Sequence, residues 1–161
     1  MTRVSCVFLT RAVVLALPAP VLAQKYDGSA VKAGQAAATF GGQGLTFAHA
    51  EGGLQQVSGF TTATLVFRPD AKNKDKHLNI VVTYQGPGKV DLDSAFSTSG
   101  ISMFSGGDVA RFTKRKSKCT ITLTKATPTE VEGTAECPLL HNIDGDAMPA
   151  LTVQKFSATA R

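Results

Sequence analysis

The chain has 161 residues, with 17 basic and 12 acidic side chains and a net charge of +5. Hydrophobic residues make up 43% of it and charged residues 18%, with 15 glycines, three cysteines and no tryptophan. This length favours a single domain. The proportion of hydrophobic to charged residues excludes a disordered or collagen-like chain, and it excludes a coiled coil, which would need far more charge.

The first 23 residues have the pattern of a cleavable signal peptide. Arg3 and Arg11 supply positive charge, and an apolar run follows over residues 12–17. Val21-Leu22-Ala23 then forms a small-residue cleavage site. A membrane-spanning helix needs about 20 apolar residues, and arginine and proline interrupt this run too early. We therefore expect an exported protein, secreted or periplasmic, with no transmembrane segment after cleavage.

Residues 24–35 are small, polar and mixed, so we expect a loose N-terminal arm there and one domain over residues 36–161. The domain consists of short alternating segments separated by Gly, Pro and Asp turns, with no convincing helical period. In chain order the candidate strands are 36–40, 45–50, 61–67, 78–84, 90–96, 101–104, 109–113, 119–125, 131–137 and 151–158. Close spacing favours antiparallel neighbours, hence a β-sandwich or a small barrel. We expect an all-β fold, an antiparallel β-sandwich of about eight strands.

The two cysteines that follow the leader, Cys119 and Cys137, are expected to pair, because pairing is the default in an oxidising compartment. Residues 119–125 and 131–137 both alternate, and Pro128 lies in the turn between them. A hairpin centred on Pro128 places the two cysteines directly opposite each other, at a distance that a disulfide can bridge. Because no zinc ligands lie nearby and the Cys-x-x-Cys spacing is missing, we predict a structural cross-strand disulfide.

The same hairpin carries a resemblance to known proteins. The run Cys119-x-Ile-x-Leu-Thr, then Val131-x-Gly-Thr-x-x-Cys137 and a closing Phe156-x-Ala158, resembles the last strands of small exported bacterial β-sandwich domains, secreted or envelope-antigen-like. It covers about Leu78 to Ala160. The resemblance implies a fold and a compartment, and it implies no site residues, because those domains share no catalytic set.

Positive charge is concentrated in two segments that lie between predicted strands. Residues 111–118 hold five basic side chains, and residues 68–76 hold four more, diluted by two aspartates. If both loops lie at one end of the domain, their summed field would attract an anionic surface, glycan or protein. The alternative is that lysines keep loops soluble and discourage edge pairing. The candidate binding residues are Arg111, Lys114, Arg115, Lys116, Lys118, Lys72, Lys74 and Lys76.

Catalytic and metal-binding patterns are weaker. The chain has no Gly-x-Ser-x-Gly, His-Glu-x-x-His or phosphate-binding glycine motif. Asp91 and Asp93 share one face of a predicted strand, but no tryptophan or clustered tyrosine accompanies them to stack a sugar. His141 precedes Asn142–Asp146, whose oxygens would suit a divalent cation or simply a polar turn. We assign no metal and no cofactor, and both interpretations of the turn Asn142–Asp146, a cation site and a polar turn, stay open at this point.

These observations favour a non-catalytic binding module that meets an anionic envelope component or protein through its basic loops. Nucleic acid is not expected, since aromatic residues do not interleave with the basic ones. Two alternatives stay open. One is a structural or interaction module that pairs through exposed strand edges, and the other is a hydrolase with a site near His141.

Overall fold

The computed structural model describes residues 27–93 and 97–160, so the predicted signal peptide lies outside the described residues. Within them the chain forms twelve strands. The strands are β1 (Asp27–Phe40), β2 (Gln43–Phe47), β3 (His49–Val57), β4 (Phe60–Arg68), β5 (Lys76–Tyr84), β6 (Gly88–Val90), β7 (Gly100–Ser105), β8 (Asp108–Arg111), β9 (Lys118–Ala126), β10 (Glu130–His141), β11 (Ala147–Met148) and β12 (Leu151–Ala160). In these ranges there is no helix long and apolar enough to cross a membrane.

All strand pairs are antiparallel, and they join into one sheet in the order β12-β1-β3-β4-β5-β7-β8-β10-β9-β6. Because β12 also pairs with β10, the strands from β12 through β1 to β10 form a closed circuit. The all-β antiparallel prediction is confirmed. The prediction of a sandwich of about eight strands is wrong, since twelve strands belong to one sheet.

Two long strands cause this difference, because each changes partners along its length. In β1, residues 27–30 pair with β3 and residues 31–40 pair with β12. In β10, residues 130–137 lie between β9 and β12, whereas residues 140–141 reach β8 and β11. A strand shared in this way joins two groups of strands that would otherwise be separate sheets.

The start of β1 also differs from the expected loose arm, because the described part of that arm, from Asp27 on, is strand. Its small residues permit close packing. A Cβ added at Gly34 would lie 2.6 Å from the carbonyl oxygen of Ser157 and 2.7 Å from the Cβ of Ala50. The composition that indicated a loose segment thus allows β1 to lie tightly between β3 and β12.

Most predicted strands lie within observed ones. The segment 45–50 is interrupted at Ala48, where β2 ends and β3 begins. Of the segment 90–96, only Val90 is in a strand and residues 94–96 lie outside the described part. The alternation of the chain is reflected in one core, formed by the inner faces of the strands. Across its middle the rings of Phe67 and Phe156 lie 6.3 Å apart, and each buried side chain of this size contributes about 1.5–3 kcal/mol.

The predicted disulfide hairpin is confirmed. Cys119 and Cys137 are bonded, with a Cα–Cα distance of 4.1 Å. The predicted register holds in the middle of the hairpin, where Ile121 is opposite Ala135 and both are buried. The two cysteines are 18 positions apart in sequence, and a cross-link of this length stabilises the fold by about 3 kcal/mol because it lowers the entropy of the unfolded chain.

Gly133 is buried in this hairpin at the point where β10 passes the ring of Phe156. A Cβ at this position would lie 2.4 Å from the carbonyl oxygen of Thr122 and 3.0 Å from the Phe156 ring. The carbonyl belongs to the β9–β10 ladder, so it has little freedom to move. A glycine is therefore required here by close approach.

We predict that Gly133→Ala lowers the free energy of unfolding by about 1–3 kcal/mol, because the extra methyl group overpacks the interior. Urea unfolding of the oxidised protein measures this. Gly44→Ala is the matched control, since a Cβ at this exposed strand position meets no heavy atom within 4 Å. Equal urea midpoints for the two variants would contradict the packing described.

Candidate functional site

The structure does not bring the two basic loops together. Lys76, the last residue of the first loop, pairs with Ser105 at one end of β7. Arg111, the first residue of the second loop, pairs with Ser102, and the chain then continues towards Gly100 at the other end. Ser105 and Ser102 are three residues apart, about 10 Å along β7, and the two loops leave the sheet in opposite directions from there. The condition for one summed surface is therefore not met.

Residues 111–118, here called the basic loop, arise from an interruption in a line of strands. β8 and β9 lie end to end along the same edge of β10, opposite the edge taken by β11 and β12. Arg111 pairs with His141 and Lys118 pairs with Leu139. The chain thus advances seven residues where β10 advances two, and the excess projects outward as a loop.

The loop is held by hydrogen bonds at its base. The carbonyl of Thr113 accepts the N–H groups of Lys116 and Ser117, at 3.1 and 2.8 Å. The buried Ser117 hydroxyl accepts the N–H of Thr113 at 2.9 Å and lies 3.0 Å from Nδ1 of His141. The disulfide at Cys119 follows two residues later. This base has a defined shape, and β10 supports it.

The outer part of the loop is held by the segment before β7. Asp93 accepts the backbone N–H of Arg115 at 3.0 Å, and Nζ of Lys114 donates to the carbonyl of Ser97 at 2.9 Å. Arg115 has a φ of 64°, a left-handed conformation that a side chain other than glycine adopts at an energetic cost. An observed outlier of this kind is a reason to suspect function at the loop.

The candidate basic side chains remain at the surface. All eight are exposed: Arg111, Lys114, Arg115, Lys116 and Lys118 on the basic loop, and Lys72, Lys74 and Lys76 at the other end of β7. The first loop has a different character, because Asp70 caps its own turn through the N–H groups of Lys72 and Asn73. The densest basic surface that the structure offers is therefore the basic loop alone.

His141 and the turn after it are occupied by structural contacts. His141 supports Ser117, as described above. In the turn, Asn142 and Asp146 hydrogen-bond to each other through both backbone and side-chain atoms, at 2.8 to 3.1 Å. Among residues 27–93 and 97–160 there is no group of three or more His, Cys, Asp or Glu that would hold a metal. These contacts favour the polar-turn interpretation of Asn142–Asp146.

Asp91 and Asp93 also take part in local structure. Oδ1 of Asp91 accepts the N–H of Asp93 at 3.0 Å, which forms a local turn, and Asp93 in turn supports Arg115. β6 ends at Val90, so neither aspartate is in a strand, and the expectation that the two carboxylates share one strand face is wrong.

Beside the basic loop lies a groove of about 460 Å³ that the sequence did not reveal. Its lining is formed chiefly by the end of β5, the β5–β6 connection and β6, including Pro87, Lys89 and Val90, and it is completed by Phe60 at the start of β4 and by Ser97. Tyr84 also lines it, and its hydroxyl donates to the carbonyl of Thr127 at 2.9 Å. Burial raises the pKa of Tyr84 to about 12. The Ser58-Gly59 dipeptide before Phe60 is a turn signal from which this exposed hairpin could have been predicted.

A second groove, of about 450 Å³, lies where β1 passes from β3 to β12. His49 lines it and hydrogen-bonds through Nε2 to Glu51 at 3.1 Å. Arg68 donates to the other oxygen of Glu51 at 2.5 Å. Arg68, followed by His49, lowers the pKa of Glu51 below its ordinary value. His49 is therefore partly buried and held by a structural partner.

The chain matches no protein-family model, and no curated protein matches it in sequence.

We predict that Ser117→Ala lowers the free energy of unfolding by about 1–3 kcal/mol, because the Thr113 N–H and His141 both lose a partner. The same change should speed tryptic cleavage after Lys114, Arg115 and Lys116. Thr120→Ala, at an exposed position on β9, is the control for removing a hydroxyl. If the Ser117 and Thr120 variants are cleaved and unfolded alike, the base of the loop is not held by Ser117.

Proposed function

We propose that the protein is an exported, non-catalytic binding module that holds an anionic partner on the basic loop. The observation that carries the proposal is the clustering of five exposed cationic side chains on residues 111–118, a loop that hydrogen bonds hold on two sides. A held backbone lowers the ordering entropy that binding would otherwise cost.

The distance between the two groups of charges favours a binding site on the basic loop alone, rather than the surface of two basic loops that was expected from the sequence. Screening at physiological salt acts over about 8 Å, so charges farther apart than this act almost independently. The side chains of residues 111–118 lie within one short loop, whereas Lys72, Lys74 and Lys76 lie beyond the opposite end of β7. The second group would add little to an anion bound at the first.

A second candidate function is pairing through a strand edge, and β2 favours it. In the described part of the chain β2 pairs only with β1, on one side. Its sequence, Gln-Gly-Leu-Thr-Phe, has neither a charge nor a proline, the features that usually protect an edge from pairing. Binding through this edge would depend on backbone hydrogen bonds and would change little with salt.

The proposal predicts that removing charge from the basic loop abolishes retention on an anionic matrix such as dextran sulfate. The variant combines Arg115→Asn, Lys116→Ser and Lys118→Ser. Asparagine tolerates the left-handed conformation of Arg115, and Lys114 is retained because it supports Ser97. Elution across a salt gradient is the measurement. The thermal midpoint should hardly change, since exposed substitutions stay within about 0.5 kcal/mol.

The matched control is Lys72→Ser, Lys74→Ser and Lys76→Ser, which removes the same charge at the other end of β7. This control should elute at nearly the wild-type salt concentration. Equal losses in the two variants would contradict a local site, because net charge alone would then explain retention. Binding that is unaffected by salt in every variant would favour the β2 edge.

A further inference from the structure

Two of the three exposed large hydrophobic side chains in the described residues lie side by side. Val57 is 38% exposed and Phe60 is 47% exposed, and they face each other across the hairpin that joins β3 to β4. The two residues between them, Ser58 and Gly59, have φ values of 52° and 81°. This is the geometry of a tight two-residue turn, so the position of the apolar pair is well defined.

The apolar pair faces outward. On β4 the side chains of Thr61, Ala63 and Leu65 are buried, so the alternation directs Phe60 to the outer surface. There it lines the 460 Å³ groove together with Pro87 and Val90. Exposed apolar side chains that cluster in this way are typical of an interaction surface, whereas single ones are ordinary.

Cationic side chains border this apolar surface. Lys89 lines the groove, and so does Ser97. The carbonyl of Ser97 accepts a hydrogen bond from the ammonium group of Lys114. The basic loop therefore reaches the rim of the groove through the side chain of Lys114. Asp91 also lines it, so the rim is cationic but not uniformly so.

We propose that this side of the molecule docks on an anionic phospholipid bilayer. In this arrangement Val57 and Phe60 enter the boundary between headgroups and acyl chains, and Lys89 and the basic loop lie over the phosphates. The inference rests on the proposed function and names its partner. A polyanionic glycan matches the charges but leaves the apolar pair in water, whereas an anionic bilayer offers both an apolar layer and negative charge.

Vesicles of equal parts phosphatidylcholine and phosphatidylglycerol test the inference, with pure phosphatidylcholine vesicles and dextran sulfate in parallel. The protein is expressed from the whole sequence and purified oxidised. Val57→Ser with Phe60→Ser should weaken binding to the anionic vesicles about tenfold or more at physiological salt, because buried apolar area is lost. Retention on dextran sulfate should be unchanged. Ile143→Ser is the matched control, since Ile143 is 66% exposed elsewhere and should not affect either.

A reporter variant covers the case in which the double variant folds poorly. The chain has no tryptophan, so Phe60→Trp introduces a single indole. Its emission should shift to shorter wavelength with anionic vesicles and not with dextran sulfate, and the emission of Ile143→Trp should not shift with either.

The outcomes separate the two proposals. Unchanged emission, or vesicle binding that survives the loss of Val57 and Phe60, overturns the bilayer inference. If dextran sulfate still retains the protein in that case, the proposed function stands with a soluble polyanion or an anionic protein as partner. If neither vesicles nor dextran sulfate retains the protein at low salt, both proposals fail.

Discussion

The pairing of β10 is the constraint on which the rest of the structure depends. This one strand contacts β9 and β12 along its first part and β8 and β11 along its last. Its bond from Cys137 to Cys119 fixes β9 against it. β10 also pairs with β12, which in turn pairs with β1, and this pairing closes the sheet. A shift of β10 by one residue would turn its buried side chains outward and break the circuit.

The candidate site follows from the same strand. β8 and β9 share one edge of β10 but do not meet in register, so the residues between them must leave the sheet. His141 of β10 supports Ser117 at the point where the chain returns. The cationic side chains are thus carried by a connection whose ends are fixed by strand pairing and a disulfide. This arrangement suits binding to a surface, where several weak charge contacts gain from being ordered in advance.

The features that depend on residues close together in sequence could be predicted from the sequence. Alternation and the turn at Pro128 determined the register of the disulfide hairpin, because a two-residue period leaves only one face for the core. Alternation does not encode which strand lies alongside, so the change of partners in β1 and β10 and the closed sheet were missed. The basic loop was recognised from its composition, but its support by Ser117 and His141 joins residues 24 apart in sequence. Phe60 was missed because it lies just before the predicted strand 61–67, although the alternation of that strand already directs its side chain to the outer surface.

Lysine acetylation, followed by mass spectrometry with and without anionic phospholipid vesicles, tests the central claim most directly. Every lysine is compared within one molecule, so no substitution is needed. We expect the acetylation of Lys116 and Lys118 to slow severalfold when vesicles are present, while Lys72, Lys74 and Lys76 react at the same rate as before. Equal protection of both groups, or protection of Lys72, Lys74 and Lys76 alone, would contradict a binding site on the basic loop.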